Sequence, residues 1–590
     1  MADLVRDAPV GQLIRWATNN RYLQYPEEKA DFQLPRPWQQ LLKDPDAAVA
    51  ADDEPRERQQ QQQQPSPSSS SSSTNGTAID DKDEQDEQQT VQGGGGDQEA
   101  AANAVEKVQS VPIVPRRTKD GAILVDWYYS DDAEDPHNWS DAKRALVAVV
   151  ICFYTFVVYT SSAIYTSSAE GIMRAFNVGQ LEATLGLSLY VLGYGIGPLV
   201  FSPLSEIPRI GRNPVYAITM FLFVIISIPT AFAPNYAGLM VLRFLQGFFG
   251  SPCLASGGAS LGDMYSLISL PYAMVAWVSA AYCGPALGPL LSGFAVPAKN
   301  WRWSLYESIW ASAPVLLAML IALPETSSAN ILLRRAQRLR RLTGSARFMS
   351  ESEIEQRNMK VSSVFIDALI KPLEITLKDP AVLFVQLYTA IIYGIYYSFF
   401  EVFPLVYPVY YNMTLGQIGL VFLCILVSCI IGIVLYCSYL YWYMQPRIER
   451  FGFPPQENRL VPALAAAFGP TIGLFLFAWT ARASVHWIVP TIGITIYGAT
   501  CFVVMQCIFV YVPLSYPKYA ASLFAANDFF RSALACGSVL FAHPLFVNLG
   551  VARGVSLLGG LSIIGIVGIW LLYFYGARLR ALSKFAVSGD

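Results

Sequence analysis

The chain has 590 residues, of which 53% are hydrophobic and only 14% are charged. This composition argues against a soluble fold and indicates a membrane protein, because the residues after the first 140 are more apolar still. The formal net charge of −3 carries little information, since membrane proteins are organised by where their charges lie rather than by their sum.

The first 140 residues form a polar tail. Residues 48–105 are of low complexity, with runs of Gln, Ser and Gly. Such a segment cannot bury enough apolar surface to offset its chain entropy, so it is predicted to be disordered, as a spacer or a phosphorylated regulatory segment. Residues 11–38 mix aromatic and basic side chains and are expected to fold against the membrane surface or the protein body. The amino terminus lacks a signal-peptide core, so the first apolar run is expected to direct insertion.

Twelve apolar runs follow, most of them as long as the ~20 residues that a membrane-spanning helix needs. A basic stretch after the sixth divides them six and six, which predicts an all-α transporter of two six-helix bundles, residues 141–325 and 379–576. Residues 577–590 form a short tail. The runs begin near Leu146, Leu181, Val215, Ala237, Tyr272, Ser304, Ala381, Ile418, Leu460, His486, Tyr519 and Val555.

Residues 326–378 form the linker between the two halves. Within it, residues 331–342 read ILLRRAQRLRRL, an amphipathic arginine-rich helix that is expected to lie flat on an anionic cytoplasmic leaflet, with a gating role as the alternative. Lys and Arg are concentrated in the loops on the same side as the termini. Both termini are therefore predicted to be cytoplasmic.

A membrane enzyme is the weakest functional class for this chain. The nine cysteines lie in apolar runs with no CxxC pair, which is typical of packing rather than of a disulfide or a metal site. There are only three histidines, with no HxxxH set, and no ATP-binding P-loop. No metal site and no enzymatic activity are expected.

The loop between the second and third runs reads GPLVFSPLSEIPRIGRNP, starting at Gly197. A tight turn needs Gly and Pro, and a carboxylate beside two guanidiniums can form charge-assisted pairs that break and re-form. We therefore predict that this loop gates a conformational change through Gly197, Glu206, Arg209, Gly211 and Arg212.

Arg243 lies about seven residues into the fourth run, which places it ~10 Å below the membrane surface. A guanidinium at that depth is costly unless it faces water or a partner, so Arg243 is a functional candidate, with a structural network as the alternative. It cannot release a proton at working pH and would instead tune a carboxylate or organise water.

Four carboxylates are candidates for the group that takes up a proton: in order of preference Asp263, Glu307, Asp528 and Glu401. Asp263 ends the fourth run, near enough to the loop between the second and third runs to pair with one of that loop's arginines. Asp528 has Arg531 three residues further on, so an intrahelical ion pair with a structural role is an equal alternative.

The fifth run combines three glycines with two prolines, at Gly284, Pro285, Gly288, Pro289 and Gly293. Gly at four-residue spacing lets a neighbouring helix approach closely, while Pro removes hydrogen bonds and bends the run. A bent helix at the seam between the halves would suit a rocking exporter; tight packing without directionality is the alternative.

The runs are rich in aromatic residues, and a large apolar cavity with few polar anchors binds diverse lipophilic molecules. Aromatic side chains also mark lipid interfaces and helix packing, so each residue is a candidate only. The predicted cavity residues are Tyr159, Tyr165, Tyr190, Tyr194, Gln246, Tyr282, Tyr388, Tyr393, Tyr397, Phe400, Phe509 and Phe529.

Several of these stretches together resemble one protein family. The loop with Glu206 and the Gly211–Arg212 pair is similar to the loop 2-3 motif of the major facilitator superfamily, with Glu for the usual Asp and extra residues before the pair. Residues 242–250 (LRFLQGFFG) resemble the family's second motif, and the fifth-run glycines and prolines resemble its antiporter motif. Residues 135–139 (DPHNW), 301–303 (WRW) and 324–326 (PET) are similar to the fungal twelve-span drug:proton antiporters, in the branch that confers benomyl, methotrexate and azole resistance.

The resemblance implies the major facilitator fold and proton-driven export of lipophilic drugs, azoles and benomyl-like compounds among them, from a fungal cell. It places the protein in the plasma membrane as a monomer, with drugs, protons and membrane lipids as partners, no nucleic acid, and the proton gradient in place of a cofactor. The alternative is export of an endogenous metabolite such as a polyamine, although a dication would favour several acids inside the cavity. A nutrient importer is disfavoured by the antiporter motif.

Overall fold

The computed structural model describes residues 2–43, 110–118, 120–356, 370, 372–516, 519–583 and 585. The predicted disorder of residues 48–105 lies outside these residues. The chain divides into two compact units, one of residues 1–32 and 133–590 and one of residues 33–132.

Twelve helices of the described chain are long and apolar enough to cross a membrane, which confirms the predicted all-α fold. We number them spans 1 to 12. The first six are Asp141–Phe176, Gln180–Glu206, Arg212–Ala231, Tyr236–Gly262, Leu270–Ala298 and Trp303–Ala322. The second six are Pro380–Tyr411, Leu415–Phe451, Gln456–Thr480, Ile488–Ser515, Ser522–Leu549 and Val551–Leu582.

An even number of crossings puts the start of span 1 and the end of span 12 on one side of the bundle, called here the terminal side; the opposite side is the far side. Spans 1, 3, 5, 7, 9 and 11 therefore run from the terminal to the far side, and the others run back. The charged loop after span 2 and the linker after span 6 both lie on the terminal side.

Polar caps begin several spans. Asp379 accepts hydrogen bonds from the backbone N–H groups of Ala381 and Val382 at 3.0 and 3.4 Å, where span 7 starts. Asn235 accepts one from Gly238 at 2.7 Å at the start of span 4. These side chains satisfy donors that the first turn of a helix leaves unpaired.

Several spans are irregular along their length. Span 1 passes through a 3₁₀ turn at Ile164–Ser168, span 4 is interrupted at Ser251 before Pro252, and span 8 contains a π-helical turn at Leu440–Met444. Such irregular turns are places where a long helix can bend.

Short elements on the terminal side complete the larger unit. They are the helices Ala2–Asp7 and Pro9–Ala17, the 3₁₀ turns Pro26–Glu28 and Pro136–Asn138, the linker helix Ser328–Thr343, the strand Phe348–Met349 and the helix Glu351–Gln356. Two arginines that the sequence led us to expect on a lipid surface are instead buried against protein. Arg335 and Arg338 of the linker helix lie within ion-pair distance of Glu27 and Glu134.

The smaller unit contains the helix Arg36–Lys43 and the strand Ile123–Leu124. Its centre is Trp38, which is fully buried. The indole Nε1 of Trp38 donates to the carbonyl of Ile113 at 3.2 Å, and its ring meets that of Tyr128 edge-on with 5.3 Å between centroids. A buried Trp with a satisfied N–H is the usual anchor of a small core.

Candidate functional site

A small cavity lies midway along the spans, between the two halves. Its volume is about 30 Å³, which admits water but no drug-sized molecule. Spans 1, 4, 5, 7, 10 and 11 line it with Tyr159, Leu254, Trp277, Val278, Ala281, Tyr282, Ile392, Tyr393, Tyr396, Met505, Phe509 and Arg531. The lining is apolar and aromatic, with one charged side chain.

The two halves are in contact on both sides of this cavity. Towards the terminal side, Gln506 Nε2 of span 10 donates to the carbonyl of Met274 in span 5 at 3.4 Å. Towards the far side, Ser188 Oγ of span 2 donates to the carbonyl of Cys536 in span 11 at 3.0 Å. The structure therefore has the cavity closed at both ends.

A cluster of tyrosines joins the halves beside the cavity. Tyr194 Oη of span 2 lies 2.7 Å from Tyr393 Oη and 3.0 Å from Tyr397 Oη, both of span 7. The Tyr397 hydroxyl also lies 3.2 Å from Ser162 Oγ of span 1. Hydroxyls both donate and accept, so these bonds can be exchanged for others without leaving a buried charge unpaired.

An ion pair lies in the wall of the cavity. Arg531 Nη2 is 2.5 Å from Asp528 Oδ1, and the side chains are 8% and 1% exposed. The guanidinium also lies over the rings of Tyr393 and Phe509, 4.9 and 5.6 Å from their centroids. The other carboxylate oxygen, Asp528 Oδ2, is buried and accepts no hydrogen bond within the described chain. A buried acceptor without a partner is a place where a proton or a polar group of a ligand can bind.

Neighbouring amides hold this part of span 11 in register. Asn527 Nδ2 donates to Gln386 Oε1 at 2.6 Å and to Thr389 Oγ1 at 2.7 Å, both on span 7. Sequence analysis assigned no role to Asn527, Gln386 or Thr389. Two polar residues in an apolar run were the available signal.

Arg243 lies inside the first half and is fully buried. It donates to the carbonyls of Ser161, Ser162 and Gly186 at 3.1, 3.2 and 3.2 Å and to Gln246 Oε1 at 3.2 Å. The rings of Tyr165 and Tyr190 lie 4.8 and 4.3 Å from the guanidinium carbon. No carboxylate of the described chain pairs with it, and carbonyls and ring faces balance the charge instead.

The four candidate carboxylates occupy different places. Asp528 is beside the cavity, whereas Asp263 is at the terminal end of span 4 in an ion pair with Arg212, Nε to Oδ2 2.6 Å and Nη2 to Oδ1 3.3 Å. Glu401 is buried towards the far end of span 7, and Glu307 is half-buried near the far end of span 6 with Oε2 unpartnered in the described chain. Which of them takes up a proton remains a prediction.

The charged loop after span 2 is closed by Glu325, which sequence analysis noted only as part of the PET stretch of the family resemblance. The side chain of Glu325 accepts hydrogen bonds from the backbone N–H groups of Arg212 and Asn213 at 3.0 and 3.2 Å and from that of Ser327 at 3.0 Å. A Cβ on Gly211, whose φ is +80°, would lie 2.4 Å from Glu325 Oε2. Glu325 thus caps span 3 and ties the linker to the loop.

Glu206 and Arg209 of the same loop are exposed and belong to no ion pair in the described part of the chain. Gly197 lies on span 2 against span 4, since an added Cβ would be 2.6 Å from the carbonyl oxygen of Phe248. Of the predicted gating set, the structure brings Arg212 and Gly211 into one network with Asp263.

Span 5 packs closely against span 1 and against span 8 of the other half. An added Cβ on Gly284 would lie 2.9 Å from the carbonyl oxygen of Phe156, and one on Gly288 would lie 2.7 Å from the backbone nitrogen of Ile164. At Gly293 the nearest atom is the carbonyl oxygen of Leu415, at 3.0 Å. Pro285 and Pro289 lie inside the helix between these contacts. The glycines therefore sit where span 5 touches its neighbours.

The predicted cavity residues divide into two groups. Tyr159, Tyr282, Tyr393 and Phe509 line the cavity. The others are placed elsewhere in the closed structure: Tyr194 and Tyr397 in the tyrosine cluster, Tyr165, Tyr190 and Gln246 around Arg243, Phe400 stacked on Phe422, Tyr388 against Gly565, and Phe529 beside Phe530. Trp277, Tyr396 and Met505 line the cavity but were not predicted, because an apolar run gives no signal of which face meets the other half.

The family model described as "Major Facilitator Superfamily" matches residues 151–539. The chain belongs to that superfamily. This transporter is 47% identical to the "MFS-type transporter pyvG" of Aspergillus violaceofuscus, over 80% of this chain and 87% of that one. It is 39% identical to the "Fluconazole resistance protein 1" of Saccharomyces cerevisiae, over 79% of this chain and 86% of that one.

A solved structure of the proton:xylose symporter XylE from E. coli has the same fold, with a TM-score of 0.54 at 14% identity, over 74% of this chain and 96% of that one. The predicted family and fold are thus confirmed, as is the resemblance to fungal drug-resistance transporters. The protein is a membrane transporter and not an enzyme.

Proposed function

We propose that this transporter exports lipophilic drugs, including azoles and benomyl-like compounds, out of a fungal cell in exchange for protons. The name of the yeast relative, a fluconazole resistance protein, supports an azole among the substrates. The basic loops on the terminal side support an orientation with that side in the cytoplasm. We infer the plasma membrane as the location, because export out of the cell requires the transporter to lie there.

The observation that carries the proposal is the Asp528–Arg531 pair in the wall of an aromatic cavity. Apolar and aromatic side chains bind lipophilic molecules without demanding one shape, which suits a multidrug exporter. Asp528 has a buried oxygen with no hydrogen bond in the described chain, which makes it the best-placed carboxylate for a proton. A proton on Asp528 would weaken its attraction for Arg531 and so free the guanidinium to move.

Movement of Arg531 can reach the first half through direct contacts. Its guanidinium lies over Tyr393, whose hydroxyl belongs to the tyrosine cluster with Tyr397. Tyr397 bonds the hydroxyl of Ser162, and the carbonyl of Ser162 accepts from Arg243. A proton or a drug at the cavity would thereby change the contacts that hold the two halves together, as alternating access requires.

The energy available is adequate for export. One proton crossing a potential of 100 mV supplies ~2.3 kcal/mol. That corresponds to roughly a 50-fold concentration ratio of drug, before any pH gradient is added.

A test uses the full-length protein in liposomes that contain a fluorescent azole or another fluorescent drug. An imposed pH gradient should drive drug movement by wild type, and Asp528→Asn should abolish the response to the gradient while drug binding persists. Glu170→Gln is the matched control, because Glu170 forms an exposed i,i+4 pair with Arg174. A wild-type protein that ignores the gradient would refute proton coupling, and an Asp528→Asn variant that responds normally would refute the role of Asp528.

Export of a polyamine is the alternative, and the residues that line the cavity argue against it. The described lining contains no carboxylate free to pair with a dication, because its one charged side chain is Arg531 and the neighbouring Asp528 is already paired with that arginine. The same liposomes test this alternative directly, since spermidine should neither be transported nor compete with the drug.

A further inference from the structure

A second, larger pocket lies on the terminal side, far from the central cavity. It has a volume of about 230 Å³ and lies between the linker helix Ser328–Thr343 and the N-terminal segment, residues 9–28. Its lining includes Arg15, Tyr25, Glu28, Arg334, Arg338 and Arg341. Four guanidiniums and one carboxylate around one pocket are a composition suited to an anion.

The inner wall of the pocket is fixed by ion pairs. Arg338 donates to Glu27 at 3.0 Å and to Glu134 at 2.7 Å, and its guanidinium stacks 3.9 Å from the ring centroid of Tyr25. Arg15 donates to Glu28 at 2.7 Å and stacks on the same ring at 4.5 Å. These contacts hold the two arginines in place before any ligand arrives.

The outer wall of the pocket carries positive charge that no acidic side chain of the described chain pairs with. Arg334 and Arg341 make no ion pair in the described chain, and Arg341 is exposed. The pocket and the residues directly behind it hold five arginines against three glutamates, a net charge of about two positive. The arginines are Arg15, Arg334, Arg335, Arg338 and Arg341, and the glutamates are Glu27, Glu28 and Glu134.

The rim of the pocket has the character of a membrane surface. The helix Pro9–Ala17 packs against spans 3 and 6, which puts it beside the bilayer. On its outer face Leu13 is 62% and Trp16 is 83% exposed. Exposed Leu and Trp next to arginines are typical of a helix that lies in the interface between headgroups and acyl chains.

We propose that this pocket binds a phosphomonoester group, carried by the headgroup of an anionic lipid. Arg334 and Arg341 are its direct ligands, because arginine matches phosphate oxygens with paired donors. Arg15 and Arg338 form the fixed back wall, and Trp16 and Leu13 lie against the acyl chains. The bound ligand bridges the N-terminal segment and the linker helix and so stabilises their contact.

The test measures binding to the purified full-length protein in detergent, with dioctanoyl phosphatidylinositol 4-phosphate as the lipid probe. Inositol 1,4-bisphosphate and inorganic phosphate are the soluble probes, and dioctanoyl phosphatidylcholine is the lipid without a monoester. Wild type should bind the phosphoinositide saturably and the phosphatidylcholine at least tenfold more weakly. Arg334→Ala with Arg341→Ala should weaken phosphoinositide binding at least tenfold.

Matched controls distinguish loss of the pocket's arginines from a general loss of charge or of folding, and a lipid ligand from a soluble one. Arg347→Ala removes an exposed arginine of the same linker outside the pocket and should change nothing. Arg334→Lys with Arg341→Lys should retain part of the affinity, and each variant is compared with wild type in thermal unfolding. Trp16→Ser with Leu13→Ser should weaken the lipid probe and spare inositol 1,4-bisphosphate.

The possible outcomes decide the proposal. If the soluble phosphate binds as tightly as the lipid and the Trp16 variant loses nothing, the site is supported and its ligand comes from solution. If neither monoester probe binds saturably, or if the Arg334/Arg341 double variant binds like wild type, the proposal is overturned.

Discussion

Ser162 and Tyr397 are hydrogen-bonded across the interface of the two six-helix halves, Oγ to Oη at 3.2 Å. The backbone of Ser162 meanwhile accepts from Arg243, deep in the first half. Tyr397 in turn belongs to the tyrosine cluster that contacts Arg531 through Tyr393. Ser162 therefore belongs to a chain of contacts that connects Arg243 of the first half with Arg531 of the second.

The first prediction tests this connection. Tyr397→Phe removes the hydroxyl while keeping the ring, so the closed arrangement should lose about 0.5–1.5 kcal/mol for each hydrogen bond that is not replaced. We expect the halves to open more often, measured as faster modification of a cysteine placed at the cavity, and a lower transport rate. Tyr407→Phe is the control, because the Tyr407 hydroxyl bonds Thr491 within the second half alone, at 2.8 Å. Equal modification rates in the two variants would contradict the prediction.

The second prediction concerns the stability of the buried ion pair. Arg531→Ala leaves Asp528 buried without its partner and should lower the free energy of unfolding by about 3–5 kcal/mol. Replacing both partners, with Asp528→Asn and Arg531→Gln, should recover most of that loss because no unpaired charge remains. Glu170 and Arg174 form an ion pair in which both side chains are 84% exposed. Arg174→Ala should therefore lower the free energy of unfolding by less than about 1 kcal/mol. Thermal unfolding in detergent measures all three, and a double variant as unstable as Arg531→Ala would count against the argument.

The third prediction uses two glycines with the same backbone conformation. Gly211 and Gly452 have φ values of +80° and +75° and ψ values of −179° and −173°, but of the two only at Gly211 does an added Cβ meet another group, the carboxylate of Glu325 at 2.4 Å. Both substitutions to Ala carry the cost of a backbone conformation that is essentially restricted to glycine, about 1–3 kcal/mol. Gly211→Ala should cost more, because it also displaces Glu325 from the cap of span 3. The difference between the two variants in transport and in thermal stability isolates the Glu325 contact, and no difference would disprove it.

The fourth prediction addresses the close packing of span 5. Gly288→Val has no room, since a Cβ there is 2.7 Å from the backbone of span 1, whereas Gly560 of span 12 has nothing within 4 Å. Gly288→Val should displace span 5 from span 1, at a cost of at least about 1–3 kcal/mol, and reduce transport strongly. Gly560→Val should be close to neutral. The comparison is made by transport at equal amounts of folded protein in the membrane, and it fails if both variants transport alike.

Much of the fold follows from the sequence because the bilayer requires a long apolar run of every span, and the twelve spans of the described chain measure 20 to 37 residues. The Arg212–Asp263 pair could also be predicted, since charged residues at the ends of apolar runs have few possible partners. The residues that line the cavity could be predicted only in part. Trp277 and Met505 lie in runs that are apolar on every face, so nothing in the pattern shows which side meets the other half. The burial of Arg338 was hidden for another reason, because its partner Glu27 is 311 residues away along the chain.

The last prediction is a pH dependence of the folded N-terminal segment, residues 9–28, in which Arg15 and Glu28 form an ion pair at 2.7 Å. Burial alone would raise the pKa of Glu28, but the hydrogen bond from Arg15 and the backbone N–H of Tyr25 lower it below its ordinary 4.5. A carboxyl whose pKa is depressed in the folded protein contributes stability above its ordinary pKa and loses it as the pH falls through the depressed value.

The N-terminal segment should therefore be ordered from neutral pH down to about pH 4.5 and lose this stabilisation as the pH falls further. Hydrogen exchange of residues 9–28 in the full-length protein, measured from pH 7 to pH 3 and corrected for intrinsic exchange rates, reports this loss. Glu28→Gln removes the titrating group beside Arg15, so in this variant the protection of residues 9–28 should be lower at neutral pH and change less on acidification. Protection that rises as the pH falls, or a Glu28→Gln variant with the wild-type profile, would show that the Arg15–Glu28 pair does not hold the segment in place.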